Sequence, residues 1–173
     1  MKKLVLFTIF AALMMSSAAF AQTTASGTLT VTATVNGSIQ LVFNSDAAGL
    51  ALSSGNGTNA ATLAFGNVSA FGTIATGITR STTATNFTVS SPVDVLVSKT
   101  NSASANYTLK AQLGTADATN TWSVGGVAVT SGTQATVTGT GTYGSNSNFP
   151  VAITVPFTTA SGTNISNTIN YVA

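Results

Sequence analysis

The feature that most constrains this chain is an alternation of apolar and polar residues with a period of two. In Gly27–Phe43, GTLTVTATVNGSIQLVF, the apolar residues Leu29, Val31, Ala33, Val35, Ile39, Leu41 and Phe43 all occupy odd positions. Successive side chains of a β-strand point to opposite faces, so this parity predicts one apolar face and one polar face. Asn36-Gly37 in its middle is a strong signal for a tight hairpin. A two-residue hairpin there would set Val35 opposite Ser38 and turn Ile39, Leu41 and Phe43 to the wrong face. The parity therefore predicts a continuous path with a kink or bulge at Gly37. Leu29–Val35 is expected to be a strand able to leave the domain, and Ile39–Phe43 a strand that stays.

The same period recurs downstream, carried by Val, Ile, Thr, Phe and Tyr, with no helical periodicity beside it. Phe87–Val97 is in phase at Phe87, Val89, Val93, Val95 and Val97, with Pro92 as a bend; Tyr107–Leu113 is in phase at Tyr107, Leu109, Ala111 and Leu113. Phe149–Phe157 is in phase at Phe149, Val151, Ile153, Val155 and Phe157, and its prolines, Pro150 and Pro156, have the opposite parity. Those prolines predict an unpaired or irregular edge. Further strands are expected at Thr62–Phe65, Thr73–Thr79, Thr121–Thr130, Ala135–Tyr143 and Asn164–Val172, with loops at Asn44–Ala60 and Tyr143–Asn148. The fold class expected is all-β, a single antiparallel sandwich.

The chain opens with Lys2 and Lys3, an apolar run over Leu4–Met15 and the small-residue site Ala19-Phe20-Ala21. This is the pattern of a secretory signal peptide over residues 1–21, cleaved before Gln22. Residues 22–35 then form the N-terminal strand segment, and residues 36–173 the sandwich domain. No second run of spanning length follows, so no integral helix is expected after cleavage. The formal charge of +2 resides in Lys2 and Lys3; beyond them Arg80, Lys99 and Lys110 balance Asp46, Asp94 and Asp117. Three scattered cations do not make a nucleic-acid surface. A near-neutral exterior of Thr, Ser, Asn and Gly suits a chain destined for an assembly or extracellular layer.

The chemistry of catalysis is sparse. The chain has no His, no Cys and no Glu. A nucleophilic triad has no base and a zinc site lacks its usual ligands. A glycosidase pair would have to come from Asp46, Asp94 and Asp117, which are far apart in sequence. Asn44-Ser45-Asp46 has a faint calcium-loop look without the further oxygen ligands, and reads better as a capped surface turn. Gly55–Gly57 and Gly125-Gly126 precede no helix and are not phosphate loops. The threonine rows TLTVTAT and TVTGTGT read as the solvent faces of strands rather than an ordered array. No enzymatic activity, cofactor or metal is expected.

An open sandwich has edge strands, and this chain has little charge with which to blunt them. A long alternating strand behind the polar lead Gln22–Gly27 can add to a neighbour's sheet, and head-to-tail addition builds a filament. The stretch TTASGTLTVTATVNGSIQLVF followed by ATLAFGNVSA resembles the start of spore coat protein U domains and of archaic chaperone–usher pilus subunits. Leu63-Ala64-Phe65-Gly66 fills the place of their apolar-Phe-Gly turn. ANYTLKAQL resembles their central strand, and FPVAITVPFTTASGTNISNTINYVA their last two strands and the turn between them. The family's cysteine pair has no counterpart; Gly37 and Ser38 stand where its first cysteine falls, and Gly162-Thr163-Asn164-Ile165 replaces its Gly-x-Tyr turn.

The resemblance implies an incomplete immunoglobulin-like sandwich, held by a periplasmic chaperone, passed to an outer-membrane usher and completed by the N-terminal strand of the next subunit. It implies a donor strand carrying Leu29, Val31, Ala33 and Val35, and an acceptor groove lined by Ile165, Ile169 and Tyr171 on the final strand. The protein would be an exported structural subunit of a filament or surface coat, in the periplasm in transit and then at the cell surface. The alternative is a secreted β-sandwich binding module for carbohydrate or surface adhesion, with Trp122, Tyr107 and Tyr143 as platform residues. A small outer-membrane barrel would need longer strands and aromatic girdles than this sequence offers.

Overall fold

A computed structural model describes residues Ser26–Ala173. The expected signal peptide and the residues up to 25 lie outside them. The chain divides into two compact units, one ending at Thr34 and one spanning Val35–Ala173. Among the described residues of the first, none is in a strand, and Leu29 and Val31 are exposed. Among the described residues, the stretch expected as a strand over Leu29–Val35 therefore belongs to no strand. Extended backbone needs a neighbour to hydrogen-bond with, and an alternating sequence alone does not supply one.

The second unit is all-β, and no described residue is helical. Eleven strands follow in order: β1 (Ser38–Ser45), β2 (Thr79–Thr82), β3 (Asn86–Ser91), β4 (Val93–Thr100), β5 (Asn106–Leu113), β6 (Thr121–Val124), β7 (Val127–Val129), β8 (Ala135–Thr142), β9 (Asn146–Asn148), β10 (Val151–Pro156) and β11 (Ile169–Val172). They form three antiparallel sheets, ordered β1-β4-β9, β2-β3-β10-β6-β7 and β11-β5-β8. β3 and β4 are one path bent at Pro92, and Phe87, Val89, Val93, Val95 and Val97 are buried along it in a single phase. That bent path carries the chain from the five-stranded sheet into the β1 sheet. The β11-β5-β8 sheet packs against both. Ala111 and Leu113 of β5 join one core with Phe87, Val89, Trp122 and Ile153; Tyr107 and Leu109 join a second with Val95 and Val97. This is the layered arrangement of a β-sandwich.

Local chemistry explains where elements begin and end. Gly125 and Gly126 have φ of 57° and 80°, and join β6 to β7 through a two-residue turn with Val124 opposite Val127. Positive φ at both central residues gives the turn whose twist matches the flanking strands. Asn36-Gly37 makes no such turn. β1 begins at Ser38, paired with Thr100. Gly37 lies beside the backbone of Asn101, where a Cβ would sit 2.9 Å from the carbonyl oxygen.

Several expectations are corrected. β10 is a central strand, paired on both sides with β3 and β6. Its prolines cost no ladder bond because Pro150 precedes the strand and Pro156 lies beyond the last β6 pair, Thr154 with Thr121. Thr62–Phe65 is not a strand, and only the bridge of Thr62 to Ser54 remains of it. The strand expected at Thr73–Thr79 begins only at Thr79, where β3 supplies a partner. The predicted loop Tyr143–Asn148 contains β9, which pairs with β4. The last strand is shorter than Asn164–Val172, so Ile165 precedes it rather than lying on it.

Candidate functional site

The folded unit carries an open groove of about 2300 Å³. Phe87, Val89, Ile153 and Val155, from the paired strands β3 and β10, underlie it with Trp122 of β6. One wall is the apolar face of β1, with Ile39, Leu41 and Phe43. Another is the segment that ends in β11, with Ile165, Ile169 and Tyr171; the loop carrying Leu63 and Phe65 also lines it. All three residues expected to line an acceptor groove thus lie along this one. Ile165 reaches it from the irregular segment before β11. Ile169 and Tyr171 reach it from β11 itself, in the phase their sequence spacing suggests. Leu63 and Phe65 belong to the stretch expected as a strand and likened to an apolar-Phe-Gly turn, but nothing in the sequence placed them on this groove.

Two edge strands flank the groove. β1 pairs with β4 and β11 with β5, and no ladder joins β1 to β11. Their side chains do meet, since the Phe43 and Tyr171 rings stand edge to face with centroids 5.0 Å apart. The outer edge of β1 is partly closed at Phe43, whose N–H donates to the Thr58 carbonyl at 2.8 Å and whose carbonyl accepts from the Gly57 N–H at 2.7 Å. Leu41 and Ile39 share its parity, so their backbone groups face the same outer side. Burial pushes the Tyr171 phenol well above its ordinary pKa. Apolar side chains form its floor, and Thr, Ser and Asn residues of the surrounding loops supply about as much polar surface, which together with the strand edges suits an extended segment alternating apolar and polar residues.

The expected donor residues sit at the other extreme of burial. Leu29 is 88% exposed, Val31 80% and Val35 76%, and Ala33 is exposed as well. Large apolar side chains in phase, left in water, are unusual enough to call for a partner surface.

The aromatic platform of the alternative reading is not presented to solvent. Trp122 and Tyr107 are buried core residues. The Trp122 indole Nε1–H donates to Asp117 Oδ2 at 2.8 Å, and Tyr107 packs edge-on against the partly buried Tyr143. Partial burial tends to raise the Asp117 carboxyl, but hydrogen bonds from the Asn120 backbone, Trp122, the Asn120 side chain and the Thr119 backbone outweigh it and hold the pKa down to about 2.

Asp46 and Asp94, distant in sequence, are brought together by one amide. Asn148 Nδ2 donates to Asp46 Oδ2 at 2.7 Å and to Asp94 Oδ1 at 3.4 Å. Asp46 Oδ1 accepts the Ala48 N–H at 2.7 Å, which makes Asn44-Ser45-Asp46 the start of a capped turn. Among the described residues no group of three or more His, Cys, Asp or Glu side chains is placed to hold a metal. A second cavity of about 390 Å³ is lined by residues 115–120, Thr159 and 163–167, including the unpartnered buried atoms Asn120 Oδ1 and Thr159 Oγ1. No helix among the described residues is long and apolar enough to cross a membrane.

Compared with protein-family models, with curated proteins and with solved structures, the chain matches none.

Proposed function

We propose that this chain is the structural subunit of an extracellular filament, a pilus or surface coat, assembled by β-strand exchange between copies. Leu29, Val31, Ala33 and Val35 form the donor segment, and Ile165, Ile169 and Tyr171 belong to the acceptor groove. The observation that carries the reading is a complementarity. One segment holds an in-phase apolar row with Leu29 88% exposed, and the folded unit holds an open groove of about 2300 Å³ with an apolar floor, flanked by two edge strands. Burial of Leu29, Val31 and Val35 contributes about 1.5–3 kcal/mol each before the costs of ordering the segment. Backbone bonds to the strand edges add to that, and chain-to-chain addition of this kind propagates into a fibre. The resemblance to spore coat protein U domains and archaic chaperone–usher subunits supports the same reading. It brings with it an exported subunit, a periplasmic chaperone and an outer-membrane usher.

The test is negative-stain microscopy of the chain starting at Gln22, with and without Gln22–Val35. The paired fold begins at Ser38, so the deletion leaves every strand in place. Filaments from the longer chain and none from the shorter are expected. Filaments from both would remove the donor role.

A further inference from the structure

We propose that the register at Asn36-Gly37 prevents the N-terminal segment from capping the groove of its own chain, and so reserves that groove for another copy. This rests on the strand-exchange reading above and adds what makes exchange run between chains.

The reason is one of parity. A two-residue loop pairs an odd-numbered residue with an even-numbered one. The β6–β7 hairpin shows what that requires. Its buried residues are even before the turn, at Trp122 and Val124, and Val129 is buried at an odd position after it. The core phase switches across the loop. At Asn36-Gly37 it does not switch, because Leu29–Val35 and Ile39–Phe43 are both odd.

Folding back through Asn36-Gly37 would set Val35 opposite Ser38 and Ala33 opposite Gln40. Folding back through a loop two residues longer, Asn36–Ile39, would set Val35 opposite Gln40. In either register the apolar row of the segment faces away from Leu41 and Phe43, into water. Loops of odd length restore the face: a five-residue loop over Asn36–Gln40 would take Ile39 and Gln40 from their pairing with Lys99 and Ser98, and the shortest is a three-residue loop over Asn36–Ser38. It demands a left-handed backbone at its third residue, which suits Gly or Asn and here is Ser38. It also strips Ser38 from its pairing with Thr100, where the two hydroxyl oxygens are 2.7 Å apart. A segment arriving from a second copy has no turn to obey and enters with its apolar row inward.

Insertion of a single threonine between Val35 and Asn36 tests this. It reverses the parity, so that an even-length loop now pairs Val35 with Ile39 or Leu41. Insertion of two threonines lengthens the segment further but returns it to the natural parity. The single insertion is expected to give a monomer that forms no filaments, unfolds at a higher temperature than the chain deleted of Gln22–Val35, and no longer binds an added Gly27–Val35 peptide. The double insertion is expected to assemble as the natural chain does. The substitution Ser38→Gly, which relaxes the third loop position without altering length, is expected to shift part of the population to monomer. Equal assembly of the single and double insertions would overturn the register lock while leaving strand exchange intact. Failure of the deleted chain to bind the peptide, together with failure of the natural chain to assemble, would overturn strand exchange and the lock with it.

Discussion

The rings of Phe43 and Tyr171 meet edge to face with centroids 5.0 Å apart, although no ladder joins the strands that carry them. Side-chain contact without backbone pairing leaves a gap between the two edge strands, with the Phe43 N–H and carbonyl taken by Thr58 and Gly57 and the backbone groups of Leu41 and Ile39 facing the same outer side. The groove is defined by that gap, and the proposed donor segment is the part of the sequence whose alternation fits it.

Tyr171 titrates with a recognisable sign. Burial raises its folded pKa above the unfolded value of about 10. A raised pKa favours the neutral form in the folded state, so its contribution is complete below about pH 10 and is lost as pH rises beyond it. Chemical denaturation of the natural chain should show falling stability above about pH 10, and Tyr171→Phe should flatten that fall. Equal slopes in the two proteins would remove the assignment.

Asp117 behaves in the opposite sense at acid pH. Its carboxylate accepts the Trp122 indole N–H, and its pKa is held to about 2. The stabilisation is present above the ordinary carboxylate pKa and is lost as pH falls through about 2. Asp117→Ala leaves a donor on a buried indole unpaired, at a cost of about 1–3 kcal/mol. Tryptophan fluorescence during urea unfolding measures it, since Trp122 is the one tryptophan of the chain.

Gly141 has no room for a side chain. A Cβ there would overlap Cζ of Tyr107, a ring that is 3% exposed and held by core neighbours on β4 and β5. Gly141→Ala should therefore destabilise by about 1–3 kcal/mol, as overpacking does. Gly139→Ala, on the same strand with nothing within 4 Å of its Cβ position, is the matched control and should be much milder. Urea unfolding midpoints of the two variants measure the difference.

Arg80 fastens a loop rather than an acid. Its guanidinium donates from Nη1 to the Ser69 carbonyl at 2.8 Å and from Nη2 to the Gly72 carbonyl at 2.7 Å. Arg80→Met keeps the aliphatic stem and removes both bonds. Amide hydrogen exchange should rise over residues 69–72 and stay unchanged in β4 and β5.

Much of the fold was legible in the alternation. Phe87–Val97, with its bend at Pro92, and Tyr107–Leu113 read correctly because both faces of those strands have unlike environments. β10 misled because a proline is read as an edge signal, whereas Pro150 and Pro156 flank the doubly paired stretch. β9 was invisible, being three polar residues, Asn146–Asn148, whose pairing is decided by β4 alongside and not by their own pattern. Phase alone put Ile169 and Tyr171 on one face of the last strand. The contribution of Leu63 and Phe65 to the groove depends on how a long loop returns, which local pattern does not encode. Leu29–Val35 is the instructive case, a strand by sequence that belongs to no strand among the described residues. Under the proposed strand exchange its partner belongs to the next copy.

The most direct measurement is calorimetry of the chain deleted of Gln22–Val35, titrated with a Gly27–Val35 peptide. Saturable binding at one peptide per chain is predicted, with a raised unfolding temperature. A peptide of the same composition with its apolar residues moved so that they no longer alternate should not bind. Absence of binding, or equal binding of both peptides, would contradict strand exchange through this groove.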